Sequence, residues 1–440
     1  MNRIPEDFLQ YIWRYRLMDE KQLALADGTP VRIVDQGTLN RDSGPDFFNA
    51  RIIIGNTTWA GNVEVHVHAS DWLRHNHQED EAYNSVILHA VRFNDCQITR
   101  KDGEQVPTVV IRFHPRLLEK YQGWLTSARW VPCQDEVHKI HPVHLRQWLT
   151  SLEVERLAAR TSPLKEQLDK SGGDWDQLLH HLLAHCFGLP LNSLPFSLLS
   201  DSVRINTLLP LRNDPFALEA LLFGKAGFLD SLLPEDPYMA GLVGEYNRLR
   251  QRHSGQPVPQ HLWKFMRLRP SSFPTVRIAQ FASLIHEHYP LTGKIKDCSS
   301  VKELMALFRV RAGDYWNTRY RFGKEASYQP KYTGRDFTGT LIINAIAPFL
   351  FLYGKARGEE KYSDRALALL EELPAEKNAL IKKWITFGIV PDNAFESQAL
   401  LQLHQQYCLR KDCLSCRIGI KLISGTSDEG TQPQVGLPGT

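Results

Sequence analysis

The chain has 440 residues, of which 42% are hydrophobic and 10% aromatic, too many for one ordinary core and enough to build two or three. A formal net charge of +3 is too small to mark a nucleic-acid binder by itself, and no run reaches the ~18–20 apolar residues of a membrane span. Seven cysteines, three of them crowded near the C-terminus, argue against a disulfide framework and for a reducing cytoplasm. The first residues, Met1 to Asp7, lack the long apolar core of a secretory signal, so a cytoplasmic location is expected.

In chain order, Pro5 to Leu17 carries Phe8, Leu9, Ile12, Trp13 and Leu17 at helical spacing behind a proline, which predicts an amphipathic helix. A short strand follows at Val31 to Val34. Two strand runs, Phe47 to Ile54 and Thr57 to His68, flank Gly55-Asn56, a hairpin signal. Ser70-Asp71 offers the N-cap of a helix to about Tyr83. Val86 to Phe93 and Val106 to Phe113 read as strands. After Pro115 the apolar spacing turns helical, as in Leu149-Leu152-Leu157, Leu218-Leu221-Leu222 and Ile278-Phe281-Leu284-Ile285, with proline-rich breaks between. Leu341 to Tyr353 reads as a buried helix, interrupted by Asn344 and Pro348. The expected organisation is α+β followed by all-α: an α/β domain over 1–115, a helical domain over 116–424, and a disordered tail over 425–440 that is poor in apolar residues.

Gly61 to His68 organises the N-terminal part. Val63, Val65 and Val67 alternate with Glu64, His66 and His68, so a carboxylate and two imidazoles share one strand face. Such a face can hold a divalent ion or move protons, and it can equally be the wet side of a half-buried sheet. Asp46 follows Pro45 eighteen residues upstream. A regular hairpin at Gly55-Asn56 sets Glu64 opposite Phe47, so a pairing of the two acids needs a bulge, or Asp46 ahead of the regular strand. His75, His77, Asp80 and His89 enlarge the cluster. His77 and Asp80 share a face of the predicted helix, and His89 interrupts an apolar strand where a polar group needs a partner. His75 and His77 suit solvated positions as well. His68, His77, Asp80 and His89 thus form a possible additional site for a zinc- or manganese-type centre.

Two further groups stand out. His404, Cys408, Cys413 and Cys416 have the tight Cys-x2-Cys half of a zinc or iron–sulfur site, with His404 one helical turn before Cys408. With Cys298 or Cys133 in place of His404, an iron–sulfur cluster is the alternative to zinc. Arg309, Arg311, Arg319, Arg321 and Lys324, interleaved with Tyr315, Trp316, Tyr320 and Phe322, form a basic-aromatic belt suited to phosphates and bases. The same pattern also suits an amphipathic helix with core aromatics and solvated arginines.

The helix–strand–strand–strand–helix–strand order, with Pro45-Asp46 before one strand and Glu64-Val65-His66 on the next, resembles the PD-(D/E)xK or restriction-endonuclease-like core. The resemblance covers about 90 residues and implies Asp46 and Glu64 as ligands of Mg2+ or Mn2+, with His66 where that motif has lysine. Over nearly the whole chain, Ser43 to Phe47, Gly61 to Trp72, Tyr83 to His89, Phe273 to Gln280 and the terminal cysteines resemble a bacterial family of uncharacterised proteins, a domain of unknown function. The leading expectation is metal-dependent phosphodiester hydrolysis on DNA or RNA through Asp46, Glu64 and His66. The alternatives are a non-catalytic nucleic-acid-binding scaffold on a degenerate nuclease fold, and a small-molecule hydrolase with a histidine-rich metal centre.

Overall fold

A computed structural model describes residues 4–230, 234–253 and 255–425. Two compact units divide it, one of residues 1–148 with 403–440 and the other of residues 149–402. The N-terminal mixed sheet and the mostly helical remainder agree with the sequence, but the expected boundary at 115 does not. The first division falls at Trp148, inside the helix Pro142–Lys170, and the C-terminal segment counts with the sheet. Nearly all of the expected tail, 426–440, lies outside the described residues.

In the sheet unit, α1 (Glu6–Arg14) follows Pro5 and buries Phe8, Leu9, Tyr11, Ile12 and Trp13. Each such side chain contributes about 1.5–3 kcal/mol when fully removed from water, an upper bound for a real unfolded chain. Strands β1 (Val31–Asp35), β2 (Thr38–Leu39), β3 (Phe47–Ile54), β4 (Thr57–His68), β5 (Val86–Phe93) and β6 (Thr108–Val110) form one sheet in the order β1-β3-β4-β5-β6, with β2 also on β3. The β1, β3 and β4 pairings are antiparallel, and those of β4 with β5 and of β5 with β6 are parallel. The hairpin forms at Gly55-Asn56, with Gly55 at φ +60 where a side chain would be strained. Gly61 is required by close approach, since a Cβ there would sit 2.4 Å from Ile87 Cγ2 and 2.7 Å from the Ser85 carbonyl.

The register resolves the parity question. Ala50 pairs with Gly61 but Phe47 pairs with Val63, a one-residue slip absorbed at Asn49, which has φ +58. This bulge sets Asp46, not Phe47, across from Glu64. The expected helix from 71 to 83 is broken. α2 (Asp71–Arg74) ends after one turn, Asn76 adopts a left-handed φ of +61, and short 3-10 turns, His77–Glu79 and Glu81–Ser85, complete the crossover to β5. Asn tolerates that region better than most side chains, which is why the break falls there. The returning helix Arg417–Ser424 packs on α3 (Pro115–Thr126), with Lys120 Nζ donating to the Leu422 carbonyl at 2.6 Å. Tyr11 Oη donates to the Ile420 carbonyl at 3.1 Å.

The second unit is mostly helices, several opened by a proline as at Pro215 and Pro237, although Pro195, expected as a break, lies inside the helix Leu189–Ser202. The long apolar stretch Arg335–Arg357 is its core helix, with 83% of the apolar window buried. Glu219, on the helix Pro215–Lys225, is enclosed and accepts the Tyr238 hydroxyl proton. Burial pushes its carboxyl up from 4.5 to about 7. The folded unit therefore holds a proton that the unfolded chain has released between pH 4.5 and 7, and stability from this group falls as pH rises through that window. Glu219→Gln, which keeps an acceptor for Tyr238, is expected to remove this slope, worth at most about 3 kcal/mol, when urea unfolding is compared at pH 5 and pH 8.

Candidate metal centre

The face of β4 opposite the valines is not wet. Glu64 is 4% exposed and His66 1%. β3 brings Asp46 alongside, and the acids clasp each other through the backbone. The Asp46 N–H donates to Glu64 Oε2 at 2.9 Å, and the Val65 N–H donates to Asp46 Oδ2 at 3.0 Å. Gln10 Nε2, from α1, donates to Asp46 Oδ1 at 2.9 Å. Both Asp46 oxygens are thus held by donors, and Asp46 braces the strand that carries Glu64.

Glu64 Oε1 faces imidazoles. It lies 3.4 Å from His66 Nε2 and 3.3 Å from His77 Nε2. His66 Nε2 is 3.1 Å from His75 Nδ1. His66, His75 and His77 each offer one nitrogen, all within 4.8 Å of one another, the one such trio among the described residues. The left-handed turn at Asn76 brings His75 and His77 to the same place, which two residues separated by one on a regular helix could not reach together. His77 is fixed by stacking on Tyr83, 3.8 Å between ring centres, and by the edge contact with Trp72. His66 Nδ1 lies 2.9 Å from Nε2 of the wholly buried His89. That contact holds the His66 ring with Nε2 turned to the cluster, the usual support of a ligating histidine.

The electrostatics fit a cation. Burial first, then Glu64, pushes the Asp46 carboxyl up to about 7, and burial pushes Glu64 up to about 8. Burial, then His89, lowers His66 to about 2, and burial, then His77, lowers His89 to about 3. His77 is also lowered, first by burial. The imidazoles are held neutral, with lone pairs available. His77 Nε2 is buried and makes no hydrogen bond, the condition of a nitrogen that a metal would satisfy. Three imidazoles with a carboxylate beside them, open to solvent at the exposed His75, match the donor set of a catalytic Zn2+- or Mn2+-type ion.

Other expected residues sit elsewhere. His68, toward the end of β4, stacks on Phe93 and faces Asp95 at 3.7 Å. Asp80 is exposed and caps the turn Glu81–Ser85 by accepting the Ala82 N–H. Sequence reasoning placed His75 and His77 in the candidate cluster while weighing solvated positions for both, and did not single out Gln10. The signal for the pair was an Asn between two histidines, a residue able to turn the backbone left-handed. In the helical unit the basic belt is a turn and a hairpin, Arg319–Arg321 with Lys324–Glu325, not a helix. Arg321 lies over the rings of Phe265 and Phe273, Arg319 over Tyr315 and beside Glu325, and Arg311 pairs with Asp314. Arg309 and Lys324 are the exposed members. His404 stacks on Trp130 with ring centres 4.2 Å apart.

If the trio binds metal, His75→Ala and His77→Ala are expected to abolish Zn2+ binding at this site. His89→Ala is expected to weaken it about 10–100-fold by freeing the His66 ring. Competition with a chromophoric chelator measures both, and unchanged affinity in all three variants would dismiss the centre.

No curated protein and no solved structure matches the chain. A family model described as a protein of unknown function matches residues 6–379, which takes in the whole histidine centre and stops short of the terminal cysteines. The chain belongs to that family, DUF2851.

Proposed function

We propose that the chain is a metal-dependent hydrolase that cleaves phosphodiester bonds in DNA or RNA. The observation that carries this reading is the meeting of Glu64 Oε1 with the His66, His75 and His77 nitrogens at a solvent-open edge. The nucleic-acid substrate draws support from the element order α1, β1, β3, β4, crossover, β5. Asp46 at the head of β3 and Glu64-Val65-His66 on β4 fall where a restriction-endonuclease-like core carries its acids. The bulge at Asn49 removes the register objection to that alignment.

A bound divalent ion supplies Lewis-acid charge that steadies an attacking water and the scissile phosphate. The chain's own groups do the rest. Glu64 Oε1, turned toward the imidazoles, is placed to take a proton from water. His66 is held rigid through His89, and His75 lies at the mouth where substrate enters. Asp46 and Gln10 keep Glu64 in place. The departure from lysine at His66 favours a softer ion than Mg2+. That donor set also supports a second reading, a hydrolase of a small phosphorylated molecule.

The test is cleavage of single- and double-stranded DNA and RNA with Mn2+, Zn2+ or Mg2+. Glu64→Gln is expected to lower the rate by at least about 100-fold while leaving circular dichroism unchanged. Asp46→Asn is expected to lose less. A wild-type protein inert on every nucleic acid with every ion overturns the substrate, and one that also fails on small phosphodiesters overturns the enzyme. For the belt, Arg309→Glu with Lys324→Glu is expected to weaken single-strand binding and to flatten its dependence on salt by about 1 for each phosphate that is no longer neutralised. Binding with an unaltered salt slope would show that the belt serves only the fold.

A further inference from the structure

Cys133 is separated in sequence from the C-terminal cysteines, yet the fold gathers all four in the sheet unit. Each of the four thiols lies within electrostatic reach of the other three. Cys133, Cys413 and Cys416 are buried and Cys408 nearly so. The backbone around them is shaped tightly. Cys133 opens a turn, its carbonyl accepting the N–H groups of Glu136 and Val137 at 2.9 and 3.0 Å. Glu136 in turn takes Lys120 Nζ at 2.8 Å, and the same ammonium donates to Leu422 on the returning helix. Cys408 ends the π-helical turn Leu403–Cys408. Lys411, between Cys408 and Cys413, adopts a left-handed φ of +54 and donates through Nζ to the Leu125 and Ser127 carbonyls. Cys416 is the N-cap residue of the helix Arg417–Ser424. Gly419 is fixed by proximity: a Cβ there would lie 2.2 Å from the Cys413 carbonyl oxygen.

The spacing distinguishes the occupant. A single zinc with Zn–S bonds of about 2.3 Å draws its four sulfurs to about 3.8 Å from each other. Among the described residues, no three of these sulfurs lie within 4.8 Å of one another. Four thiolates arranged more widely suit four iron atoms at the corners of a cube better than one central ion.

We propose that Cys133, Cys408, Cys413 and Cys416 ligate one [4Fe–4S] cluster, which staples the segment after the sheet to the returning C-terminal segment. On transfer of an assembled cluster from a thiolate donor, four Fe–S bonds to the donor thiolates break and four to these cysteines form, the four cysteine protons pass to the departing thiolates, and no electron moves. The nearby Lys411 ammonium offsets thiolate charge at Cys413. His404 is not a ligand in this assignment.

The full chain purified without oxygen is expected to carry about four iron and four acid-labile sulfide per chain, with visible absorption that dithionite bleaches. Cys133→Ser is expected to fall below one iron per chain, while His404→Ala and Cys186→Ser keep the full complement. Should Cys133→Ser fail to fold, alkylation of the native wild type read by mass spectrometry replaces it. Cys133, Cys408, Cys413 and Cys416 are then expected to be protected as a set and to become reactive together after oxidation and chelation. One zinc and no iron, no metal at all, full iron in Cys133→Ser, loss of iron in His404→Ala, or Cys133 reacting independently of the other three would each overturn the assignment.

Discussion

A carboxylate with one oxygen fixed by a backbone N–H and the other turned to imidazoles is the constraint around which the sheet unit is arranged. Glu64 takes that posture because Asp46 lies across from it, and Asp46 lies there because Asn49 inserts one extra residue into β3. Remove the bulge from the pairing and the parity of β3 reverses. Asp46 would join Val63 and Val65 on the apolar face, and Glu64 Oε2 would lose its donor. A buried carboxylate oxygen without a donor costs about 1–3 kcal/mol, so the bulge is tied to the stability of the site as well as to its geometry.

The crossover obeys a similar economy of backbone. An uninterrupted helix from Asp71 to Tyr83 would point His75 and His77 some 200° apart around its axis, and only one of them could face β4. Breaking it at Asn76 lets both reach His66. Trp72, Tyr83 and His89 then wall the cluster with rings, which excludes water on the inner side and leaves the outer side to His75. Low local dielectric strengthens every charge interaction there, and it also explains why His66, His77 and His89 are shifted toward the neutral form and why the Asp46 and Glu64 carboxyls are raised.

Much of this was legible in the residues alone. The alternation in Gly61 to His68, the Gly55-Asn56 turn and the apolar run with His89 fixed strands, and strands fixed which residues share a face. The sheet's α1 and the core helix around Leu341 to Tyr353 followed from period and proline alone. What failed were features set by tertiary context. Propensity favours a continuous helix over 71–83, and only the need to cover β4 selects the break. The domain boundary failed because Cys133, α3 and Arg417–Ser424 combine across a long intervening segment, and no local pattern encodes such a return. The belt failed as a helix because Arg319 and Arg321 are spent on Tyr315, Phe265 and Phe273, a packing use that looks the same in sequence as a phosphate-binding one.

The two metal proposals rest on opposite donor chemistry, and that contrast separates their roles. As proposed, the histidine centre opens to solvent at His75 and sets three borderline imidazoles beside a carboxylate, an arrangement suited to an ion with a position left for substrate. The cysteine group is closed, all sulfur, and joined to α3 through Lys120 and Glu136. Burial pushes the Cys413 thiol up to about 12, a cost that a bound cation would offset. Under that proposal the cysteine group, at the point where the chain returns after 254 residues in another unit, acts as a clasp. The β4 centre holds its carboxylate against water, and the clasp holds the chain segment whose helix accepts from α1 and α3 beside it.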